Sequence, residues 1–175
     1  DVGPEQTVSV AAMSGDAIDK LYFGGYASLT MHRIMLEDEV RTNAYKDAID
    51  DRFQDKVVLD VGCGMGVLSI FAAKAGARKV YAVDGCSRIA KLAADMVTSN
   101  GLDNVVQVIH SKVEELDLPE QVDIIVSEWM GYFLIYESMF QSGIAARDKW
   151  LKPGGLMLPE KCVLKAVPFT NQYSI

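Results

Sequence analysis

The stretch Val57-Val58-Leu59-Asp60-Val61-Gly62-Cys63-Gly64-Met65-Gly66 decides the fold class of this chain. A mostly apolar strand pattern runs directly into a loop with glycine at every second position, and a helical pattern follows at 67–75. In an open parallel sheet, a loop in this position lies at the carboxyl end of a strand, where ligands bind. The sequence therefore predicts an α/β fold with a ligand at the glycine loop.

The alternation of strand and helix patterns continues towards the carboxyl terminus. Short runs rich in Val and Ile, bounded by glycine turns, are typical of buried parallel strands joined by crossover helices. The sequence predicts further strands at 80–83, 105–109, 122–126, 156–158 and 162–167, and helices at 89–100 and 136–150. Pro153-Gly154-Gly155 is expected to end the last helix.

On the amino side, a four-residue period predicts an amphipathic helix at 34–49. Its expected inner face consists of apolar residues one turn apart: Leu36, Val40, Ala44 and Ala48. Residues 1–17 are small and polar without periodicity, which is typical of a flexible tail.

The spacing of the glycines bears on the ligand. A dinucleotide fingerprint has its third glycine one position later, where this chain has Val67. The GxGxG form resembles the nucleoside-binding loop of S-adenosylmethionine-dependent methyltransferases. Asp84 ends the second predicted strand, where a carboxylate can accept both hydroxyls of a ribose. The alternative is that the glycines only form a tight turn and that Asp84 caps the next helix.

Asp60 lies inside the apolar first strand and needs hydrogen-bond partners there. Backbone N–H groups of the glycine loop are the expected donors. We therefore expect Asp60 to shape the loop, and direct contact with the ligand is left open.

Two carboxylates, Glu128 and Glu137, enclose an otherwise apolar and aromatic stretch, SEWMGYFLIYE at 127–137. A charge in such surroundings costs several kcal/mol unless a cation meets it. The pair therefore predicts a pocket for a positively charged group, with a guanidinium or an ammonium as the first candidates.

Composition limits the alternatives. The 175 residues are 50% apolar and 23% charged, which is typical of one globular domain, and no apolar run approaches the ~18 residues of a membrane span. The net charge of −7 argues against a nucleic-acid surface and favours basic partners. The cysteines are odd in number and lack CxxC spacing, so no disulfide framework or zinc site is expected, and a reducing compartment is favoured: Cys63, Cys86 and Cys162.

Four separated segments resemble those of protein arginine N-methyltransferases. They are Tyr22-Phe23-Gly24-Gly25-Tyr26, His32-Arg33-Ile34-Met35-Leu36 through Arg41-Thr42, VLDVGCGMG at 58–66 and SEWMGYFLIYESM at 127–139. The resemblance runs from about residue 21 to the end. It implies a Rossmann-like methyltransferase fold with N-terminal helices, and methyl transfer from S-adenosylmethionine to arginine. Met35 and Met139 match the branch that makes asymmetric dimethylarginine.

The resemblance also implies roles for individual residues. Glu128 and Glu137 would be catalytic and would hold the substrate guanidinium, while Arg41 would pair with the carboxylate of the cofactor. The residues implied in cofactor binding are His32, Met35, Arg41, Asp60, Gly62, Gly64, Gly66, Asp84, Glu114 and Met139. Those implied in substrate binding are Tyr22, Tyr26, Glu128, Met130 and Glu137. No metal is implied.

By this resemblance the chain divides into four parts. A tail at 1–17 precedes helices at 18–50 that close over the cofactor, a Rossmann-like domain at 51–160, and at 161–175 the start of the family's β-barrel domain, which is otherwise not present. Three residues depart from the family pattern: Asp84 stands where glutamate is usual, Met65 replaces a small hydroxyl residue and Gly85 resembles an insertion. The implied partners are basic proteins such as histones and Arg/Gly-rich proteins, and a second copy through an arm absent here. No nucleic acid or membrane is expected, and the cytoplasm or nucleus is the implied location.

Three competing functions follow from the same motifs. A methyltransferase acting on another cationic nucleophile would share the glycine loop, but it would not need both glutamates. A non-catalytic partner subunit would be expected to have lost a glutamate or a loop glycine. A nicotinamide oxidoreductase is disfavoured by Val67.

Overall fold

The structure, a computed structural model, describes residues 28–134 and 139–168. Its centre is a five-stranded parallel sheet with the order β3-β2-β1-β4-β5. The strands are β1 Val57–Val61, β2 Lys79–Asp84, β3 Val106–His110, β4 Val122–Val126 and β5 Leu151–Leu158. The helices are α1 Leu29–Glu37, α2 Glu39–Ala48, α3 Val67–Lys74, α4 Ser87–Ser99 and α5 Met139–Trp150. Short 3-10 turns lie at Asp51–Phe53 and Val113–Glu115. The predicted α/β fold is confirmed.

The central strand β1 is buried on both faces, which explains its apolar sequence. Val58 packs into a layer with α2, α3 and α4, whereas Val57 and Leu59 pack into the opposite layer with α5. All three side chains are 0% exposed. Because burial of one such side chain is worth roughly 1.5–3 kcal/mol, strands covered by helices on both faces favour Val, Ile and Leu at every position.

The strand order places several candidate residues at one edge of the sheet. The chain leaves β1 towards β2 and β3, and then returns to the other side of β1 to form β4 and β5. In open α/β sheets this reversal leaves a crevice beyond the carboxyl ends of the strands, and ligands bind there. Gly62 follows β1, Asp84 ends β2 and Glu128 lies two residues after β4.

The single helix predicted at 34–49 is wrong, because the segment forms α1 and α2 with a break at Asp38. The Asp38 carboxylate accepts the backbone N–H of Arg41 at 3.1 Å and so caps α2. Apolar periodicity alone predicts one continuous helix here. A polar side chain that caps the second helix breaks it into two. The expected inner face is also wrong: Val40 is 84% exposed, whereas Tyr45 is 7% exposed and faces the core.

The carboxyl-terminal strands differ from prediction in two ways. β5 begins at Leu151, and a register shift opposite Asp123 accommodates Pro153-Gly154-Gly155 inside the strand. The strand predicted at 162–167 is wrong, since those residues have no regular secondary structure. Three apolar side chains there are largely exposed: Val163, Leu164 and Val167. A β-prone sequence forms a strand only where a neighbour satisfies its backbone N–H and C=O groups.

The other predicted strands and helices agree with the observed bounds to within one or two residues, with α5 described from Met139 onward. The glycine loop lies between β1 and α3 as predicted. Across the described ranges, the helices are too short or too polar to cross a membrane.

Candidate active site

The glycine loop is held against the neighbouring strand by its backbone. The N–H groups of Gly62 and Cys63 each donate to the Val83 carbonyl at 2.9 Å. The φ angles of Gly62, Gly64 and Gly66 are +69°, +53° and +80°. This left-handed region costs other residues roughly 1–2 kcal/mol. The glycines therefore turn the chain from β1 into α3 and leave backbone without side chains at the loop surface.

Two predicted cofactor residues lie directly over this loop. A Cβ atom at Gly62 would lie 2.7 Å from Met139 Cε, and one at Gly64 would lie 3.3 Å from His32 Cε1. His32 is buried on α1, and Met139 is the first residue of α5. The structure thus brings together two glycines and two side chains that are far apart in sequence, as one site requires.

Asp84 fastens the loop to the end of β2. Its Oδ2 accepts the Gly64 N–H at 3.0 Å, and its Oδ1 accepts the Cys86 N–H at 2.8 Å. Burial raises the pKa of Asp84, and the two N–H groups together with nearby His32 and His110 offset part of that rise. Because a carboxylate oxygen accepts more than one hydrogen bond, Asp84 can hold the loop and still accept ribose hydroxyls.

Asp60 does not have the partners that were predicted. Its Oδ2 accepts the Ser69 hydroxyl at 2.6 Å, and its buried Oδ1 has no partner. The expected donors in the glycine loop are absent from this contact, since the Gly64 N–H goes to Asp84 instead. Asp60 is 0% exposed, so no ligand can reach it in this conformation. The structure therefore shows Asp60 joining β1 to α3 through Ser69, and its predicted contact with the cofactor stays a prediction.

A buried acid with an unpartnered oxygen makes stability depend on pH. Burial raises the pKa of Asp60 to about 7, against the opposing effect of the Ser69 hydrogen bonds. Between about pH 4 and pH 7 the folded protein keeps a proton that the unfolded chain has lost, so the free energy of unfolding falls as pH rises. Above about pH 7 both states have lost it, and this contribution stays constant.

Asp60→Asn is expected to remove this pH dependence. The drop in the free energy of unfolding from pH 5 to pH 8, measured by urea denaturation, should be about 2–3 kcal/mol smaller in the variant. Asp117→Asn, at an exposed aspartate, provides the control and should follow the wild-type profile. An Asp60→Asn profile parallel to that of the wild type would contradict the assignment of a raised pKa.

Two oppositely charged candidate residues form an ion pair beyond the carboxyl ends of the strands. Arg41 Nη1 donates to Glu128 Oε2 at 2.9 Å, and their side chains are 28% and 24% exposed. Arg41 Nη2 donates to the Met35 carbonyl at 2.5 Å, and Asp38 Oδ2 lies 3.9 Å from Arg41 Nε. The resemblance gave Arg41 and Glu128 separate ligands, so their pairing was not predicted. Both side chains keep some contact with solvent, so ligand groups can reach the pair.

Tyr45 and Ser127 are site residues that the sequence analysis missed. The Tyr45 hydroxyl donates to the Ser127 carbonyl at 3.0 Å, and Ser127 Oγ donates to the Val61 carbonyl at 2.7 Å. Burial, followed by the charge of Glu128, raises the pKa of Tyr45 well above its usual value, so the hydroxyl remains a donor. These bonds tie α2 to the ends of β1 and β4. The available signal was the spacing of Tyr45, one helical turn after Arg41.

Three further candidates have partners within the protein. Glu114 is exposed on the turn after β3 and accepts the Ser142 hydroxyl at 2.7 Å. Met130 is half-buried, with its sulfur 4.0 Å from the Tyr45 hydroxyl. Met35 is half-buried and uses its carbonyl to hold Arg41. Their contacts with cofactor or substrate stay predictions. Three candidates lie outside the described residues, and their roles stay predictions: Tyr22, Tyr26 and Glu137.

The donor groups at this edge suit an organic cofactor. Among the residues that the structure describes, no group of three or more His, Cys, Asp or Glu side chains could hold a metal ion. What the edge offers is a guanidinium on Arg41, a carboxylate on Asp84 and a glycine loop whose surface is backbone. These groups fit, in turn, a carboxylate, ribose hydroxyls and a nucleoside that approaches the backbone closely.

A cavity of about 370 Å³ lies at the opposite edge, by the amino ends of β1 and β4. Three of its charged lining residues take part in ion pairs. Lys152 Nζ lies 2.7 Å from Asp123 Oδ1, and Arg52 Nε lies 2.9 Å from Asp50 Oδ1. Asp123 Oδ2 also accepts the Val57 N–H at 2.8 Å. The two contacts of Asp123 join β5, β4 and β1. The cavity lies away from the glycine loop.

Similarity to known proteins agrees with this geometry. A family model described as "Methyltransferase domain" matches residues 58–155. The chain is 54% identical over 158 residues to "Probable protein arginine N-methyltransferase 6.2" of Oryza sativa subsp. indica, covering 89% of this chain and 40% of that protein. It is 52% identical over 157 residues to "Protein arginine N-methyltransferase 6" of Xenopus laevis, covering 88% and 46%.

Solved structures give the same result. Arabidopsis thaliana protein arginine methyltransferase 10 matches with a TM-score of 0.76 and 52% identity, covering 78% of this chain and 40% of that one. The Trypanosoma brucei PRMT1 enzyme-prozyme heterotetrameric complex with AdoHcy matches with a TM-score of 0.75 and 51% identity, covering 77% and 43%. The chain thus spans about two fifths of the length of the proteins it matches.

Proposed function

Because the chain belongs to the methyltransferase-domain family, we propose that it transfers methyl groups from S-adenosylmethionine to arginine side chains of proteins. One observation carries the choice of arginine. Glu128, two residues after β4, accepts a hydrogen bond from the guanidinium of Arg41 at 2.9 Å. A carboxylate placed to bind one guanidinium beside a cofactor loop is suited to bind another.

The residues that would hold the cofactor lie at the carboxyl edge of the sheet. Asp84 would accept the ribose hydroxyls, and Arg41 would pair with the methionine carboxylate. Gly62 and Gly64 leave room for the side chains of Met139 and His32, which would contact the nucleoside. When bound, S-adenosylmethionine supplies an electrophilic methyl group on a sulfonium. Arg41 would exchange its contact with Glu128, 2.9 Å long, for the methionine carboxylate.

Glu128 would address the poor nucleophilicity of arginine. A guanidinium with a pKa above 12 shares its lone pairs through resonance. A carboxylate that accepts its N–H groups fixes its orientation and draws positive charge towards the bonded nitrogens, so the remaining nitrogen becomes more nucleophilic. Glu137, matched by the family motif, is proposed as the second such carboxylate. Holding two reactants in attack geometry can lower a barrier by roughly 7–11 kcal/mol.

The same carboxylates offset a repulsion. The sulfonium and the guanidinium are both cations, and at about 4 Å in an effective dielectric near 20 two unit charges repel by roughly 4 kcal/mol. A carboxylate at Glu128 compensates for one of them. The proton need only leave after methylation, when the nitrogen has become more acidic, so no general base is assigned among the described residues.

Several finer features of the function are proposed from the family resemblance alone. They are asymmetric dimethylarginine as the final product, histones and Arg/Gly-rich proteins as substrates, a homodimer as the assembly, and the cytoplasm or nucleus as the location. The net charge of −7 suits basic substrates.

The choice of acceptor is tested with two peptides. The full-length protein is incubated with methyl-labelled S-adenosylmethionine and either an Arg/Gly-rich peptide or the same peptide with every arginine replaced by lysine. We expect label only in the arginine peptide, because the flat guanidinium matches a carboxylate in a way that a point ammonium does not. Equal labelling of both peptides, or labelling of the lysine peptide alone, would exclude the proposal.

A further inference from the structure

Two aromatic side chains, four and five residues after Glu128, are largely exposed. Tyr132 and Phe133 are 81% and 82% exposed, and they form the centre of a tight turn that starts three residues after Glu128. The Leu134 N–H donates to the Gly131 carbonyl at 2.9 Å, and the Gly131 N–H donates back at 3.3 Å. The turn is therefore a hydrogen-bonded unit.

The other aromatic residues in the described part of the chain are packed to a greater extent. Trp129 and Phe140 have ring centroids 5.1 Å apart, and Phe140 is 44% exposed. Tyr45 and Trp150 are each 7% exposed. Among residues 28–134 and 139–168, aromatic side chains that are more than 80% exposed are thus confined to the turn.

The backbone of the turn is costly as well. Phe133 and Leu134 have φ angles of +49° and +71°, in the left-handed region that glycine occupies without cost. Bulky residues in this region cost of order 1–3 kcal/mol each, and such strain is concentrated at ligand-binding sites. A glycine at 133 would relieve this strain, so the phenylalanine lowers local stability.

We infer that the turn at Tyr132 and Phe133 binds the substrate polypeptide next to the target arginine, by placing its rings against a second cationic side chain. The inference rests on the proposed function, since the turn and Glu128 belong to one loop. An aromatic face attracts Lys and Arg side chains, and this chain, with its net charge of −7, favours basic substrates. The turn would therefore select arginines that have cationic neighbours.

Phe133→Gly separates this role from a structural one. Two peptides are compared in the full-length protein, one with a single arginine flanked by lysines and one with glutamines in place of the lysines. Wild type should show the lower KM for the lysine peptide. Phe133→Gly should reduce that preference about twofold to fivefold, with kcat nearly unchanged and a melting temperature no lower than that of the wild type.

Two further variants sharpen the comparison. Phe133→Tyr retains an aromatic ring and should keep the wild-type preference. Met96→Ala, which removes a 40% exposed side chain on α4, should also leave the preference unchanged.

Each negative result has its own meaning. If the wild type labels neither peptide, the proposed function fails and this inference fails with it. If the wild type is active and Phe133→Gly keeps the full lysine preference, only the docking role is wrong. A Phe133→Gly protein with a lower melting temperature and equal loss of kcat on both peptides would show that the rest of the protein covers the turn, which also overturns the inference.

Discussion

Glu128→Gln is expected to lower kcat for methylation of an arginine peptide by about two to three orders of magnitude, the usual cost of removing one group that stabilises charge in a transition state. Glutamine retains an oxygen for the Arg41 Nη1 contact, now 2.9 Å long, so the site should keep its shape. What is lost is the negative charge that orients and polarises the substrate guanidinium. Affinity for S-adenosylhomocysteine, measured by calorimetry, should change by less than about threefold.

The chain offers a matched control for this variant. Glu120 also accepts a hydrogen bond from an arginine, with Arg78 Nη2 at 3.1 Å from Glu120 Oε2. The pair lies outside the candidate site, so Glu120→Gln should retain wild-type kcat. The role of Glu128 would be refuted if Glu128→Gln kept more than a tenth of the wild-type rate, or if both variants lost activity alike.

Asp84→Ala is expected to weaken S-adenosylhomocysteine binding at least tenfold, which corresponds to about 1.4 kcal/mol. Two effects act in the same direction. The ribose would lose its acceptor, and the N–H groups of Gly64 and Cys86 would lose the oxygens that hold the loop at 3.0 Å and 2.8 Å. Calorimetric titration of the full-length protein measures the change.

Asp84→Asn distinguishes the two effects. Asparagine keeps one oxygen acceptor and nearly the same volume, so it should hold part of the loop and bind S-adenosylhomocysteine with an affinity between those of the wild type and Asp84→Ala. Unchanged affinity in Asp84→Ala would mean that neither the ribose contact nor the loop anchoring matters for binding.

The sheet and the glycine loop were predictable because their physical causes are local in sequence. A strand that is buried on both faces, such as β1, needs apolar residues at successive positions, and the turn into α3 needs glycines at positive φ. Both requirements produce a short and specific pattern of residues in the sequence. The position of Asp84 at the end of β2 followed directly from it.

Other features depend on contacts between distant segments. The break at Asp38 arises because a side-chain cap competes with the apolar period. The buried face of α2 is set by Tyr45, whose hydroxyl finds the Ser127 carbonyl 82 residues away. The pairing of Arg41 with Glu128 spans 87 residues. No pattern within one segment encodes such contacts. Residues 162–167 are β-prone, but they pair with no strand among the residues that the structure describes and form no strand themselves.

The contact between Glu128 and a substrate guanidinium is tested most directly by a crystal structure of the full-length protein with S-adenosylhomocysteine and an arginine peptide. We expect a Glu128 carboxylate oxygen within about 3.2 Å of a guanidinium nitrogen of the peptide, and Arg41 turned to the carboxylate of S-adenosylhomocysteine. A structure in which Arg41 still occupies Glu128 while the peptide arginine binds elsewhere would contradict the account.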